Sequence, residues 1–216
     1  MKKFLMSLFC LFYFASFSQN ISIRTIDSLV YYGFIDSLRT NFGFNKTIAK
    51  KYELSILIAF SYFPELKNTK VKFKETKIKT SLNARPTISS LLFKKKEKRI
   101  YIVRINNSKK DSIALLSKAP FNAIIGVFGH EFSHFEDYNT RNFSGIMQIL
   151  STYSNDVTKE AFEKEIDNNT IKRNLGWQLY DWAYHVLYNA NAKKEYIEFK
   201  RLIYLEPLEI ENILKK

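Results

Sequence analysis

Residues 121–138, FNAIIGVFGHEFSHFEDY, decide how this chain is read. Phe121, Ile124, Ile125, Phe128, Phe132 and Phe135 recur at helical spacing. The stretch is therefore predicted to be a helix with one apolar stripe, with Pro120 suited to its first turn. Its second half carries His130-Glu131-Phe132-Ser133-His134, an H-E-x-x-H pattern that uses two of the chain's three histidines. At about 100° per residue, side chains four apart project roughly 40° from one another. Two imidazoles can then close on one metal while Glu131 sits beside them to handle a water's proton. Gly126 and Gly129 each cost about 1 kcal/mol relative to alanine inside a helix. Gly129, next to His130, is expected to let another backbone or the sheet come close.

Zinc at such a site needs a third protein ligand and a fourth position for water. Downstream, Glu163-Lys164-Glu165-Ile166-Asp167 places an E-x-x-x-D pair on a predicted helix that Asp156 or Thr158 caps and Gly176 breaks. Glu163 and Asp167 share a face. Glu163 is suited to bind the metal, and Asp167 to receive the free N–H of a ligand histidine and so fix its tautomer. Glu160 and Glu165 are competing ligands. Lys159, four residues before Glu163, equally fits a solvated face with lysine–glutamate pairing. His185 is the remaining histidine. On one straight helix it would lie about 33 Å beyond Glu163 at ~1.5 Å per residue, so it reaches the site only if the chain turns near Gly176. Among Trp182, Tyr184 and Tyr188 it also reads as a structural histidine.

H-E-x-x-H followed on a later helix by E-x-E-x-D resembles the gluzincin metallopeptidases. The likeness is to the CAAX-protease and HtpX-like peptidases, and more distantly to the ImmA/IrrE type. It covers roughly residues 99–176, with Ile166 where alanine is usual and Glu136 at a site often apolar. The resemblance implies a zincin-like α+β fold, a small, mostly antiparallel sheet packed on the active-site helix with a helical C-terminal half. It also implies one zinc held by His130, His134 and Glu163, and hydrolysis of peptide bonds with Glu131 as general base. An oxyanion partner is expected as well, with Tyr184, His185 and Arg173 as candidates. In zincin folds the strand before the active-site helix is commonly an edge that pairs with extended substrate. Arg99–Ile105, with Tyr101 and Val103, takes that place, and an ordinary core strand is the alternative.

Elsewhere, Lys2-Lys3 precede an apolar run from Phe4 to Phe17, and Ser16 and Ser18 suit cleavage before Gln19. Residues 1–18 thus read as a signal peptide, leaving 19–216 as a single domain that is periplasmic or extracellular, with an uncleaved anchor as the alternative. Cys10 is the only cysteine, so thiolate sites are excluded and a metal must use nitrogen and oxygen. The net charge of +13 becomes +11 without Lys2 and Lys3. That surplus is dispersed lysine with one run at Lys94-Lys95-Lys96, which excludes a clustered nucleic-acid face and leaves attraction to anionic envelope surfaces open. At 46% hydrophobic and 25% charged residues, the chain is globular.

Helices are predicted over 21–42, ending near Gly43, and over 46–63, stopped by Pro64. Val71–Lys74 alternates as a strand. Thr87–Phe93 and Arg99–Ile105 read as a hairpin around the polar segment Lys94–Lys98. Short helices follow at 145–152, 177–188, 194–202 and 207–214. Two other classes remain beside a peptidase: a binding protein with a structural or degenerate zinc site, and a hydrolase of a non-peptide amide.

Overall fold

In a computed structural model, residues 22–108 and 112–216 are described. The expected signal peptide lies outside them. The chain is α+β. Its elements run α1 (Ser28–Tyr32), α2 (Ile35–Phe42), β1 (Lys46–Thr47), α3 (Glu53–Ser61), β2 (Lys70–Thr76), β3 (Leu82–Pro86), α4 (Ile88–Phe93), β4 (Ile100–Asn106), α5 (Phe121–Thr140), α6 (Phe143–Thr152), α7 (Asp156–Thr170), α8 (Gly176–Tyr184), α9 (Lys194–Ile203) and α10 (Pro207–Leu214). No helix among the described residues is long and apolar enough to cross a membrane.

The sheet order is β1-β2-β4-β3. β1–β2 and β2–β4 are parallel, and only β3–β4 is antiparallel. The sheet is therefore mostly parallel rather than mostly antiparallel. Period-two patterning explains how it packs: Val71 and Phe73 of β2 and Tyr101, Val103 and Ile105 of β4 are buried, while Lys70, Lys72 and Lys74 face out. That single apolar face meets α3 and α5. Phe132 stacks on Phe60 at 3.9 Å, Phe73 meets Phe128 at 5.9 Å, and Tyr101 meets Phe135 at 4.2 Å.

Two expectations about strands are corrected here. The Arg99–Ile105 stretch, with Tyr101 and Val103, is not an edge: β4 has β2 on one side and β3 on the other. Nor does it pair with Thr87–Phe93, which form α4. Thr87 is extended and its side chain accepts from Ser90 N, so it caps a helix; β4's hairpin partner is Leu82–Pro86. The edges of the sheet are the two-residue β1 and the longer β3. Pro86, which has no N–H to give, sits at the end of β3.

The long helix expected past residue 156 bends at Asn174 (φ 62°, ψ 19°), two residues before Gly176, whose own φ is −62°. A short wide turn over Ile171–Leu175 carries the bend, and both α7 and α8 then pack on α5. Gly126 rather than Gly129 admits a backbone: a Cβ at 126 would overlap the Gln178 carbonyl, whereas one at 129 meets the Leu175 side chain.

Candidate metal centre

α5 buries one flank against the sheet and turns the other toward α7. His130, Glu131 and His134 lie on this second flank and are buried, as are Glu163 and Asp167 on the facing helix. His130 Nε2 lies 3.2 Å from His134 Nε2, and Glu163 Oε2 lies 3.2 Å and 3.3 Å from those two nitrogens. Three donors at ~2.0–2.1 Å from a tetrahedral ion should stand about 3.3 Å apart, so this triangle is of the size zinc requires. Glu163 Oε2 has no partner with hydrogen-bond geometry among the described residues, although both imidazoles are close. A shared cation satisfies such an atom directly. The three residues can hold a metal ion.

Supporting groups orient the ligands. His130 Nδ1 is 2.8 Å from Asp167 Oδ1, and Asp167 Oδ2 accepts from the Leu205 backbone N–H at 2.9 Å. With Asp167 accepting at Nδ1, His130 would present Nε2 to an ion held there. Tyr153 donates to Glu163 Oε1 at 2.7 Å, which leaves Oε2 free to bind a metal. Ser133 and Thr170 join the two helices through their hydroxyls at 2.9 Å. His134 differs: its Nδ1 has no partner among the described residues, and its ring lies against Tyr138 and Phe162 at 5.8 Å and 5.6 Å.

Ionisation follows from burial and proximity. Burial pulls the His130 pKa down, but bonding to Asp167 and Glu163 outweighs it and raises the value to about 10. Burial pushes Glu163 up, yet His134 and His130 hold it well below the usual carboxylate range. Glu131 moves the other way. Burial raises it, and the opposing pull of His134, His130 and Lys200 is too weak to cancel that. Of Glu131 and Glu163, it is Glu131 that more readily takes up a proton.

The chain matches no protein-family model, no curated protein and no solved structure. The site itself therefore carries the functional reading.

His130 and Glu131 form part of one wall of a cavity of about 660 Å³, part of it open to solvent. Val127, Leu179, Trp182, Val186 and Leu187 give it an apolar wall, and Thr80, Ser81, Asp167, Lys200 and Tyr204 add polar groups to those of His130 and Glu131. Tyr204's ring is 5.6 Å from that of His130, and burial pushes its phenol well above the ordinary range. None of the three oxyanion candidates lines this cavity. Arg173 pairs with Glu136 and with Glu65 at 2.8 Å. Tyr184 is exposed and stacks on Tyr180. His185 is buried near Trp182, and burial lowers its pKa.

Sequence reasoning missed Tyr153, Tyr204 and Lys200. Each is an ordinary aromatic or basic residue in the sequence. Only the return of the chain through α9, which carries Lys200 and is followed by Tyr204, brings the last two to α5.

Proposed function

We propose that this chain is an exported zinc-dependent peptidase with a zincin-like architecture. The observation that carries the reading is the buried triangle of His130, His134 and Glu163 with Glu131 beside it on the cavity wall. When bound there, zinc supplies a Lewis acid that acidifies water and polarises a carbonyl. His130, His134 and Glu163 are the residues that hold it. Asp167 keeps His130 in the ligating tautomer, and Tyr153 keeps Glu163 turned.

Glu131 takes a proton from the attacking water and then delivers it to the leaving amine nitrogen as the C–N bond breaks. Burial raises its pKa, the direction that suits a carboxylate which must take up a proton before passing it on. Tyr204, held as a neutral phenol, is the donor for the developing oxyanion in place of the three residues expected earlier. An extended substrate adds to the open edge of β3, and Ser81 and Leu82 at the start of that strand line the cavity. The apolar wall then accepts an apolar side chain.

The test is a metal count together with a peptide-library digest. Glu131→Gln should keep about one zinc per chain and lose hydrolysis by roughly 10²-fold or more. Hydrolysis by Glu131→Gln at the parent rate would overturn the mechanism.

A further inference from the structure

We propose that α4 and the lysine run after it form a docking surface for an anionic phospholipid membrane. In this six-residue helix three large apolar side chains face water: Ile88 is 69% exposed, Leu92 53% and Phe93 83%. The four lysines Lys94, Lys95, Lys96 and Lys98 follow at once, all exposed, with Glu97 as the only acid in the run. None of the four pairs with a carboxylate among the described residues.

The projection is built rather than loose. Thr87 N–H donates to the Ile100 carbonyl at 2.7 Å, pinning the helix start to β4. The hydroxyl of Ser90, which is buried, accepts from Ile100 N at 3.0 Å and bonds the Thr87 carbonyl at 3.0 Å. Leu91 packs on the core. The inner face of α4 is thus satisfied, and the outer apolar residues stay in water with their backbone already ordered. At the far end Arg99 donates to the Tyr138 and Arg141 carbonyls and anchors the lysine run to the end of α5.

Charge decides which occupant fits. A second copy of this chain would bring another set of unpaired lysines to the interface, on a molecule of net charge +13. An anionic bilayer instead supplies headgroups for the lysines and acyl chains for Ile88, Leu92 and Phe93 at one boundary. The surface is separate from the metal centre, so it stands or falls independently of the peptidase reading.

Sedimentation of the metal-loaded chain with phosphatidylcholine vesicles, with and without about 30% phosphatidylglycerol, tests this. Binding is expected only with the anionic lipid and should weaken at roughly 0.5 M salt. Lys94→Gln combined with Lys95→Gln should weaken it roughly 25-fold, about fivefold for each lysine charge removed. Leu92→Ser with Phe93→Ser should weaken it roughly tenfold while leaving the charge unchanged. No binding to anionic vesicles overturns the proposal. So does equal binding by all three proteins, which would mark adsorption by dispersed lysines. A dimer in solution that Leu92→Ser with Phe93→Ser dissociates, in a protein that ignores vesicles, would assign the face to a second copy instead.

Discussion

The two flanks of α5 are both buried but held by opposite physics. Toward the sheet, Phe128, Phe132 and Phe135 pack with Phe60, Phe73 and Tyr101, and no group there loses hydration it needs. Toward α7, two imidazoles and three carboxylates have been taken out of water. Such groups repay desolvation only through good geometry and mutual bonding, and an apolar replacement is often as stable. The aromatic flank is what holds the fold, whereas the ionisable flank is a site that the fold tolerates and a metal would stabilise.

Breaking the aromatic flank should have the largest effect on stability. Phe132 is fully buried and touches five other aromatic rings. Phe132→Ala should cost about 3–5 kcal/mol, read by denaturant unfolding, while the folded fraction still binds zinc. A loss of much less than that would mean the flank is loosely packed. On the other flank, Tyr204→Phe should lower kcat roughly 10²-fold with KM little changed. A change confined to KM would remove Tyr204 from the oxyanion role. Asp167→Asn should weaken zinc binding about 10–100-fold, because His130 loses the carboxylate that orients it, and unchanged affinity would show that Asp167 only holds Leu205.

The smallest effect sharpens the comparison through pH. His130's folded value of about 10 exceeds its ordinary 6.5, so its contribution to metal-free stability is whole below about pH 6.5 and is lost as pH rises toward 10. Glu163 works in reverse: its contribution is present above 4.5 and is lost as pH falls through its lowered value. Zinc must displace the His130 proton, so affinity should rise between pH 6.5 and 10 while the metal-free Tm falls. Affinity that is flat across that window would show that His130 is not a ligand.

Much of the site was legible because its logic is local. His130 and His134, and likewise Glu163 and Asp167, are pairs four apart on a helix, and helical geometry alone puts each pair on one face. The edge strand was not legible. Arg99–Ile105 alternates as any half-buried strand does, and alternation does not say which neighbours it takes. Thr87–Phe93 is rich in strand-favouring residues, yet Thr87's cap and Ser90's tether to Ile100 make it a helix. The bend came at Asn174 because a single left-handed residue suffices to turn the chain, and asparagine tolerates that conformation without being its only signal.

By itself the sequence determined the helix that carries the candidate site, the spacing of its histidines, the absence of cysteine from residues 19–216 and the α+β class, since each follows from short-range periodicity or composition. Only the tertiary structure decided that Glu163 rather than Glu160 or Glu165 completes the triangle, that β3 rather than β4 lies at an edge, and that Tyr204 and Lys200 line the cavity. Those outcomes depend on how segments far apart in the chain pack against α5, and no local pattern encodes that.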